Sequence, residues 1–330
     1  NIKFYGSSIM KLASIEGNSK KAHVAVVIDQ DQLLDIQELK NVLPQATLIP
    51  EKMKDLLAGG ATVLTKIQNC LDHVGGMMND ERERLRQSNI LLDWDEVSFL
   101  PPVPDPTIIL SVGMNYHAHL KEMQNAPALP YPPAFLMTHA ALNGSGQPII
   151  VPPQCPDKID FEGELCFVFG SSCHNVKEEE AMDYVAGYTI ANDVSARDWV
   201  EPVFTAEKPF DAISAWDRNL LGKQLPTFCP CGPVIVTKDE INDPHDLQLT
   251  LKLNGELMQN SKTDDLIFNL PQIISYFSKW YRFGPGDIVT TGSPPGVGAG
   301  RKPPIYMKPG DLVEVEIEGI GKLTNTLDNA

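Results

Sequence analysis

Residues 160–170 read DFEGELCFVFG, a run whose Phe, Leu, Cys and Val content asks for burial in a sheet while two carboxylates stand two residues apart. On a strand, side chains alternate faces with a period of two. Glu162, Glu164, Cys166 and Val168 therefore share one side, and Phe161, Gly163, Leu165, Phe167 and Phe169 the other. Two like charges held close together and partly buried repel. Either one takes up a proton, or both bind a cation, or the strand is an edge with its acidic side in water. The all-apolar opposite face favours the cation. A hard divalent ion wants several oxygen ligands. A third is offered by GYTIANDVSARD, in which 187–192 reads as a strand and Asp193 stands at its end, although an Asp there also fits a cap or turn.

The bulk composition agrees with a bound cation. The chain has 330 residues, 42% hydrophobic and 21% charged, with a net charge of −16. That balance opposes binding to nucleic acid or to an anionic membrane surface, both of which need a Lys/Arg footprint. No apolar run approaches the roughly 20 residues of a membrane span. Six cysteines, Cys70, Cys155, Cys166, Cys173, Cys229 and Cys231, are too sparse for a disulfide framework and lack paired CxxC spacing, so buried free thiols in a reducing compartment are expected. A soluble, cytoplasmic protein is the expectation. Residues 1–9 precede a Met10-Lys11-Leu12 that looks like a natural start, and they read as a leader or an expression remnant.

Outward from the central stretch, the first hundred residues form an accessory α+β lobe. HVAVVI (23–28) reads as a strand and Asp29-Gln30-Asp31 as a hairpin tip, while MKDLLAG from Met53 and TKIQNCLDHV from Thr65 read as helices. PPVPDP (101–106) continues neither a helix nor a central strand and reads as a linker. The division is therefore 1–103 for the N-terminal lobe and 104–330 for the second, larger domain. The latter alternates short β-like runs with few helices, notably EEEAMDYV from Glu178 and LPQIISYFSKWY from Leu270. This pattern predicts an α+β fold with a mixed sheet and no steady βαβ rhythm.

Three further stretches carry chemistry. NYHAHLKEM offers His117, His119 and Glu122; the i, i+3 spacing puts His119 and Glu122 on one helical face, where a carboxylate can orient an imidazole. HxH also invites a metal reading. Lys223 stands before Cys229-Pro230 with five residues between, in a setting that also suits a surface lysine. TGSPPGVG (291–298) brings exposed backbone N–H groups close together, as a carboxylate-binding turn or as a plain Gly/Pro turn.

DFEGEL, GYTIANDVSARD, Lys223 before Cys229-Pro230, NGEL at Asn254 and TGSPPGVG, in this order from about Pro104 to Thr326, resemble the fumarylacetoacetate hydrolase family. The resemblance implies a mixed β-sheet roll of that family's C-terminal-domain type. It implies that Glu162, Glu164 and Asp193 bind Mg²⁺ or Mn²⁺, with Ca²⁺ as an alternative. His119 and Glu122 match the dyad that activates water, with His117 a neighbour, and Lys223 matches the enolate-stabilising lysine. Asn115, Tyr116, Arg197, Gly292 and Ser293 fall at substrate-contacting positions, and Arg197 is also expected to pair with Asp198 to hold the metal loop. The implied function is hydrolysis of a C–C bond in a 2,4-dioxo acid of the acylpyruvate type by a homodimer. Decarboxylation or tautomerisation of a 2-oxo acid at the same site is one alternative, and a non-catalytic binding protein another. The chain departs from the pattern at Trp199-Val200, at Met137, and in a long aromatic segment between Val200 and Lys223. These changes predict a substrate bulkier and less charged than a small dicarboxylate.

Overall fold

The period-two reading of the central stretch holds, but both of its faces turn out to be interior. In the computed structural model, which describes residues 10–18, 20–29, 31–123 and 126–330 with the side chains of 201 and 204 excepted, the Gly163–Phe169 strand is buried along its whole length. Leu165, Phe167 and Phe169 pack into one apolar cluster with Leu249, Leu251, Val313 and Val315. Cys166 and Val168, on the acidic side, enter a second cluster with Leu12, Val26, Ile235 and Ile288. The residues beyond Glu164 on that side are therefore core, and water does not reach them. The expectations for residues 1–9 and for Gln30 at the hairpin tip lie outside the described residues.

The strand owes its burial to its place in an eleven-stranded mixed sheet. It is flanked by Val185–Asn192 and Ile288–Thr290, both antiparallel to it, and Ile288–Thr290 continues in parallel to Ile109–Val112. On the other side the sheet runs through Cys229–Thr237 to Lys11–Glu16 and the N-terminal strands Ala22–Asp29, Gln32–Asp35 and Leu91–Asp93. Lys11 and Leu12 pair with Val236 and Ile235, so the N-terminal strands continue this sheet. Residues 101–106 pack against the body and do not hang free: Val103 is fully buried and Ser14 Oγ donates to the Pro102 carbonyl at 2.8 Å.

A five-stranded sheet, Glu256–Lys262, Gln248–Leu253, Leu312–Ile317, Gly321–Asn329 and Ile149–Val151, contributes the opposite wall of the first cluster. The Gly60–Gly75 helix buries Val63, Ile67, Cys70, Leu71 and Val74, a stripe at helical spacing that covers the N-terminal strands. The run 178–184 forms a 3₁₀ helix and not the α-helix expected; it buries only Ala181, so no i, i+4 stripe favours the wider helix. All six cysteines are free and buried, as expected. Among the described residues no helix is long and apolar enough to cross a membrane.

Because Phe167 is fully buried in the layer between the two sheets, Phe167→Ala should destabilise the protein by about 3–5 kcal/mol, measured by urea unfolding. A loss under 1 kcal/mol would show that this layer is not the closely packed core described.

Candidate active site

The local fold delivers three carboxylates to one point. Glu164 lies opposite Ala191 in the sheet register, and where the neighbouring strand ends, the Asp193 amide donates to the Glu162 carbonyl at 2.9 Å. One oxygen each from Glu162, Glu164 and Asp193 falls within 4.8 Å of the others, and all three residues are buried. Such a cluster is tolerable only if its charge is compensated. Lys223 Nζ donates to Glu162 Oε2 at 2.9 Å, Asp193 Oδ2 at 2.7 Å and Ser195 Oγ at 2.7 Å, which uses its three N–H bonds. Arg197 donates to Glu162 Oε1 through Nη2 and to Asp160 Oδ2 through Nε at 2.9 Å.

These contacts set the protonation pattern. Burial works to raise the Glu162 carboxyl, but Lys223 and Arg197 beside it outweigh burial and hold it down at about 2. Burial lifts Asp193 to about 6, with Lys223 pulling the other way. Glu164 is pushed well above the usual carboxylate range by burial and then by the charges of Asp193 and Glu162. Burial opposes the charge on Lys223, yet Asp193 and Glu162 keep it above its ordinary value. Lys223 and Arg197 are thus shared among Glu162, Asp193 and Asp160, and among the described residues Glu164 has no ion-pair partner. Asp193 Oδ1 is buried with no hydrogen-bond partner. An orphaned anionic oxygen beside two further carboxylates fits a hard divalent cation, which Glu162, Glu164 and Asp193 could hold.

His119 and Glu122 come together as their spacing predicts, on the short His117–Glu122 helix, with His119 Nδ1 and Glu122 Oε2 2.9 Å apart. Glu122 Oε1 accepts from the Gly296 amide at 3.0 Å. The same strap, residues 291–301, supplies the Gly292 amide to Glu164 Oε2 at 3.0 Å, and the Gly298 and Ala299 amides to Asp160 at 2.6 and 3.1 Å. Its course needs glycine at Gly292, where φ is +95° and a Cβ would lie 2.9 Å from that of Asn115. It needs glycine again at Gly300, where a Cβ would lie 2.6 Å from the Glu122 carboxyl carbon. Glu162, Asp193, Lys223, His119, Glu122 and Ser293 line one cavity of about 560 Å³, and Glu164 lies behind this wall.

The remaining expected site residues divide. Arg197 and Ser293 line the cavity. Gly292 serves Glu164 through its amide. Asn115 and Tyr116 stand outside the cavity wall: the Asn115 amide is taken up by the backbones of Phe268 and Thr291 at 2.8–3.0 Å, and Tyr116 is fully buried. His117 is exposed. The expected Arg197–Asp198 pair is replaced by Arg197 with Asp160 and Glu162, because neighbouring side chains in a chain diverge while Asp160 and Glu162 share a face. Trp199 stacks with Arg218, 5.4 Å from ring centre to guanidinium carbon, and Met137 packs against Ile109 and Cys229. Neither touches the cavity. Its apolar wall comes instead from Phe135, Val200, Val203, Trp216 and Leu220.

Four contributors escaped the sequence reading. Asp160 had a signal, since it stands two residues before Glu162 in the same acidic alternation. Gln259 had none: from a strand of the other sheet it accepts from the Gly163 amide and donates to Ser293 Oγ, both at 2.8 Å. Arg301 and Lys302 at the cavity edge looked like ordinary loop charges.

Metal binding should depend on pH in a direction these shifts fix. A cation requires Asp193 and Glu164 ionised, so Mn²⁺ affinity should fall as pH drops through about 6, the Asp193 value. In the metal-free protein the two raised carboxyls act in the opposite sense. Their stabilising contribution is full below the ordinary carboxylate pKa of about 4; that of Asp193 is lost as pH rises through about 6, and that of Glu164, raised further, persists to higher pH. The increase in Tm produced by Mn²⁺ should therefore be larger at pH 7.5 than at pH 5, and Asp193→Asn should abolish it. An increase independent of pH would rule out this triad as the binding site.

The chain is similar to known proteins. The family model for the fumarylacetoacetate (FAA) hydrolase C-terminal region matches residues 108–328. The mitochondrial oxaloacetate tautomerase fahd2 of Xenopus laevis is 40% identical over 277 residues, 84% of this chain and 78% of its own. The oxaloacetate tautomerase YisK of Bacillus subtilis (strain 168) is 32% identical over 306 residues, 92% and 95% of the two chains. The maleylpyruvate hydrolase of Sphingobium sp. SYK-6, solved in complex with manganese(II) ion and pyruvate, superposes with a TM-score of 0.71 at 26% identity over 97% of this chain and all of that one. The triad, the His–Glu pair and the strap thus belong to a chain that is a member of the fumarylacetoacetate hydrolase family of enzymes.

Proposed function

We propose that this protein is a metal-dependent enzyme that interconverts the enol and keto forms of a small 2-oxo acid by moving a proton at the carbon beside the 2-oxo group. The observation that carries the reading is the buried triad with its unpartnered Asp193 Oδ1, sharing one cavity with the His119–Glu122 pair. A divalent cation held by Glu162, Glu164 and Asp193 supplies Lewis-acid stabilisation of charge on the substrate oxygen. Lys223, kept protonated by Glu162 and Asp193, adds a fixed positive charge at the same wall. Glu122 engages His119 Nδ1 and fixes the ring, which leaves Nε2 as the nitrogen that takes and returns the substrate proton. The Gly296 amide in turn fixes Glu122.

Tautomerisation needs one group that moves a proton and no positioned water, which the single His–Glu pair satisfies. Relatives 40% and 32% identical bear the name oxaloacetate tautomerase. C–C hydrolysis of a 2,4-dioxo acid is the second reading. It is favoured by the apolar wall of Phe135, Val203, Trp216 and Leu220, which has room for a departing acyl group, and by the maleylpyruvate hydrolase likeness.

With Mg²⁺ or Mn²⁺, the protein should accelerate the decay of enol-oxaloacetate absorbance and leave acylpyruvates uncleaved. His119→Gln should lower kcat roughly 10²- to 10⁴-fold with Mn²⁺ binding retained. Cleavage of acylpyruvate without enol–keto acceleration would establish the second reading, and release of CO₂ from oxaloacetate would identify a decarboxylase. Wild-type protein that binds Mn²⁺ but acts on no 2-oxo acid would overturn both main readings.

A further inference from the structure

The cavity carries more positive charge than its catalytic groups require. Lys158, Arg197, Lys223, Arg301 and Lys302 line it against only Glu122, Glu162 and Asp193, in a chain whose net charge is −16. Arg197 and Lys223 are matched by Glu162, Asp193 and Asp160. Arg301 is not matched. Its Nε donates to the Gly296 carbonyl at 3.3 Å and its Nη2 to the Met258 carbonyl at 2.6 Å, both neutral acceptors, and among the described residues no carboxylate pairs with it. Two of its five N–H donors are thereby engaged. The guanidinium is held in place, fully charged and uncompensated at the cavity wall.

Its place in the cavity follows from the bonds. Gly296 donates its amide to Glu122 and accepts from Arg301 through its carbonyl, so a single peptide residue separates the proton-moving pair from the guanidinium. Lys302, exposed and, among the described residues, also without a carboxylate partner, adds a second positive charge beside it. Arg301 thus puts a positive charge on the cavity wall next to the dyad, where it can meet a part of the substrate other than its 2-oxo acid head.

We infer that Arg301, assisted by Lys302, is a specificity-determining residue that binds the second carboxylate of a 2-oxo dicarboxylic acid. Planar N–H donors on an anchored guanidinium match a carboxylate in a way a lysine does not. This departs from the expectation of a substrate less charged than a small dicarboxylate: of the departures it was drawn from, Trp199 and Met137 lie outside the cavity, Val200 and the segment after it supply apolar wall through Val200, Val203, Trp216 and Leu220, and the positive charge of Arg301 and Lys302 played no part in it. The inference rests on the 2-oxo acid reading above and names the substrate class within it.

The test compares wild type, Arg301→Met, Arg301→Lys and Lys302→Gln in the Mn²⁺-loaded protein. KM is measured for enol–keto conversion of oxaloacetate and of phenylpyruvate, and inhibition constants for 2-oxoglutarate and 2-oxobutyrate. Arg301→Met should weaken oxaloacetate and 2-oxoglutarate about 10- to 100-fold and leave phenylpyruvate and 2-oxobutyrate within about two-fold. Lys302→Gln should give a smaller loss with the same selectivity, and Arg301→Lys should recover part of it. Equal losses for mono- and dicarboxylates would mean that Arg301 only clips the strap, and no loss for either would mean that it faces solvent; both overturn the inference. Should Arg301→Met fail to fold, the selectivity of Arg301→Lys and Lys302→Gln decides between the same outcomes. Wild type without turnover of any 2-oxo acid would defeat the functional reading alone, because calorimetric binding of 2-oxoglutarate and 2-oxobutyrate to the Mn²⁺-loaded wild type and Arg301→Met would still report whether a second carboxylate is recognised.

Discussion

Three carboxylates in the interior of one sheet are the constraint around which this molecule is arranged. Glu162, Glu164 and Asp193 cannot all be anionic in a dry setting unless positive charge or hydrogen-bond donors meet them. The protein meets them unevenly. Lys223 and Arg197 neutralise Glu162 and one oxygen of Asp193, strap amides serve Glu164 and Asp160, and Asp193 Oδ1 receives nothing. The shortfall is local and directional, which makes the spot selective for a small cation. A second lysine would have stabilised the fold and closed the site.

The rest of the architecture serves to keep that arrangement rigid. Because the Gly163–Phe169 strand packs on one side into the cluster shared with the second sheet and on the other into the cluster shared with the N-terminal lobe, Glu164 cannot relax toward water. The strap then ties Glu164, Glu122 and Asp160 together through the backbone amides of Gly292, Gly296, Gly298 and Ala299. The cation-binding wall and the proton-moving pair come from sequence segments far apart, yet they are held at a common spacing by one short piece of chain.

Much of this was legible in the sequence where a periodicity carried it. Alternation put Glu162 and Glu164 on one side, the helical i, i+3 step joined His119 to Glu122, and the end of a strand placed Asp193. Lys223 was legible only from its spacing to Cys229-Pro230 within the family pattern. What escaped depended on contacts that leave no mark in local spacing. Arg197 stands next to Asp198 in the chain but reaches Asp160 and Glu162 in space. Gln259 arrives from a different sheet. The strap's most numerous contributions are backbone N–H groups, which have no letter in a sequence. Trp199 and Met137 misled because departure from a pattern was read as contact with a ligand, whereas Trp199 packs on Arg218 and Met137 lies in the cluster against which the cavity-lining Phe135 packs.

The strap also bears on how such a site could diversify. It contacts the acids through amides that every residue except proline possesses, and its own side chains are left to face the cavity, Ser293, Val297 and Arg301 among them. As long as the glycines that permit its path are kept, a lineage can exchange those side chains without disturbing the charge balance beneath. Binding preference and reaction machinery are thus inscribed on the same few residues in two separate alphabets, one of side chains and one of peptide groups, and mutation can rewrite the first while leaving the second intact.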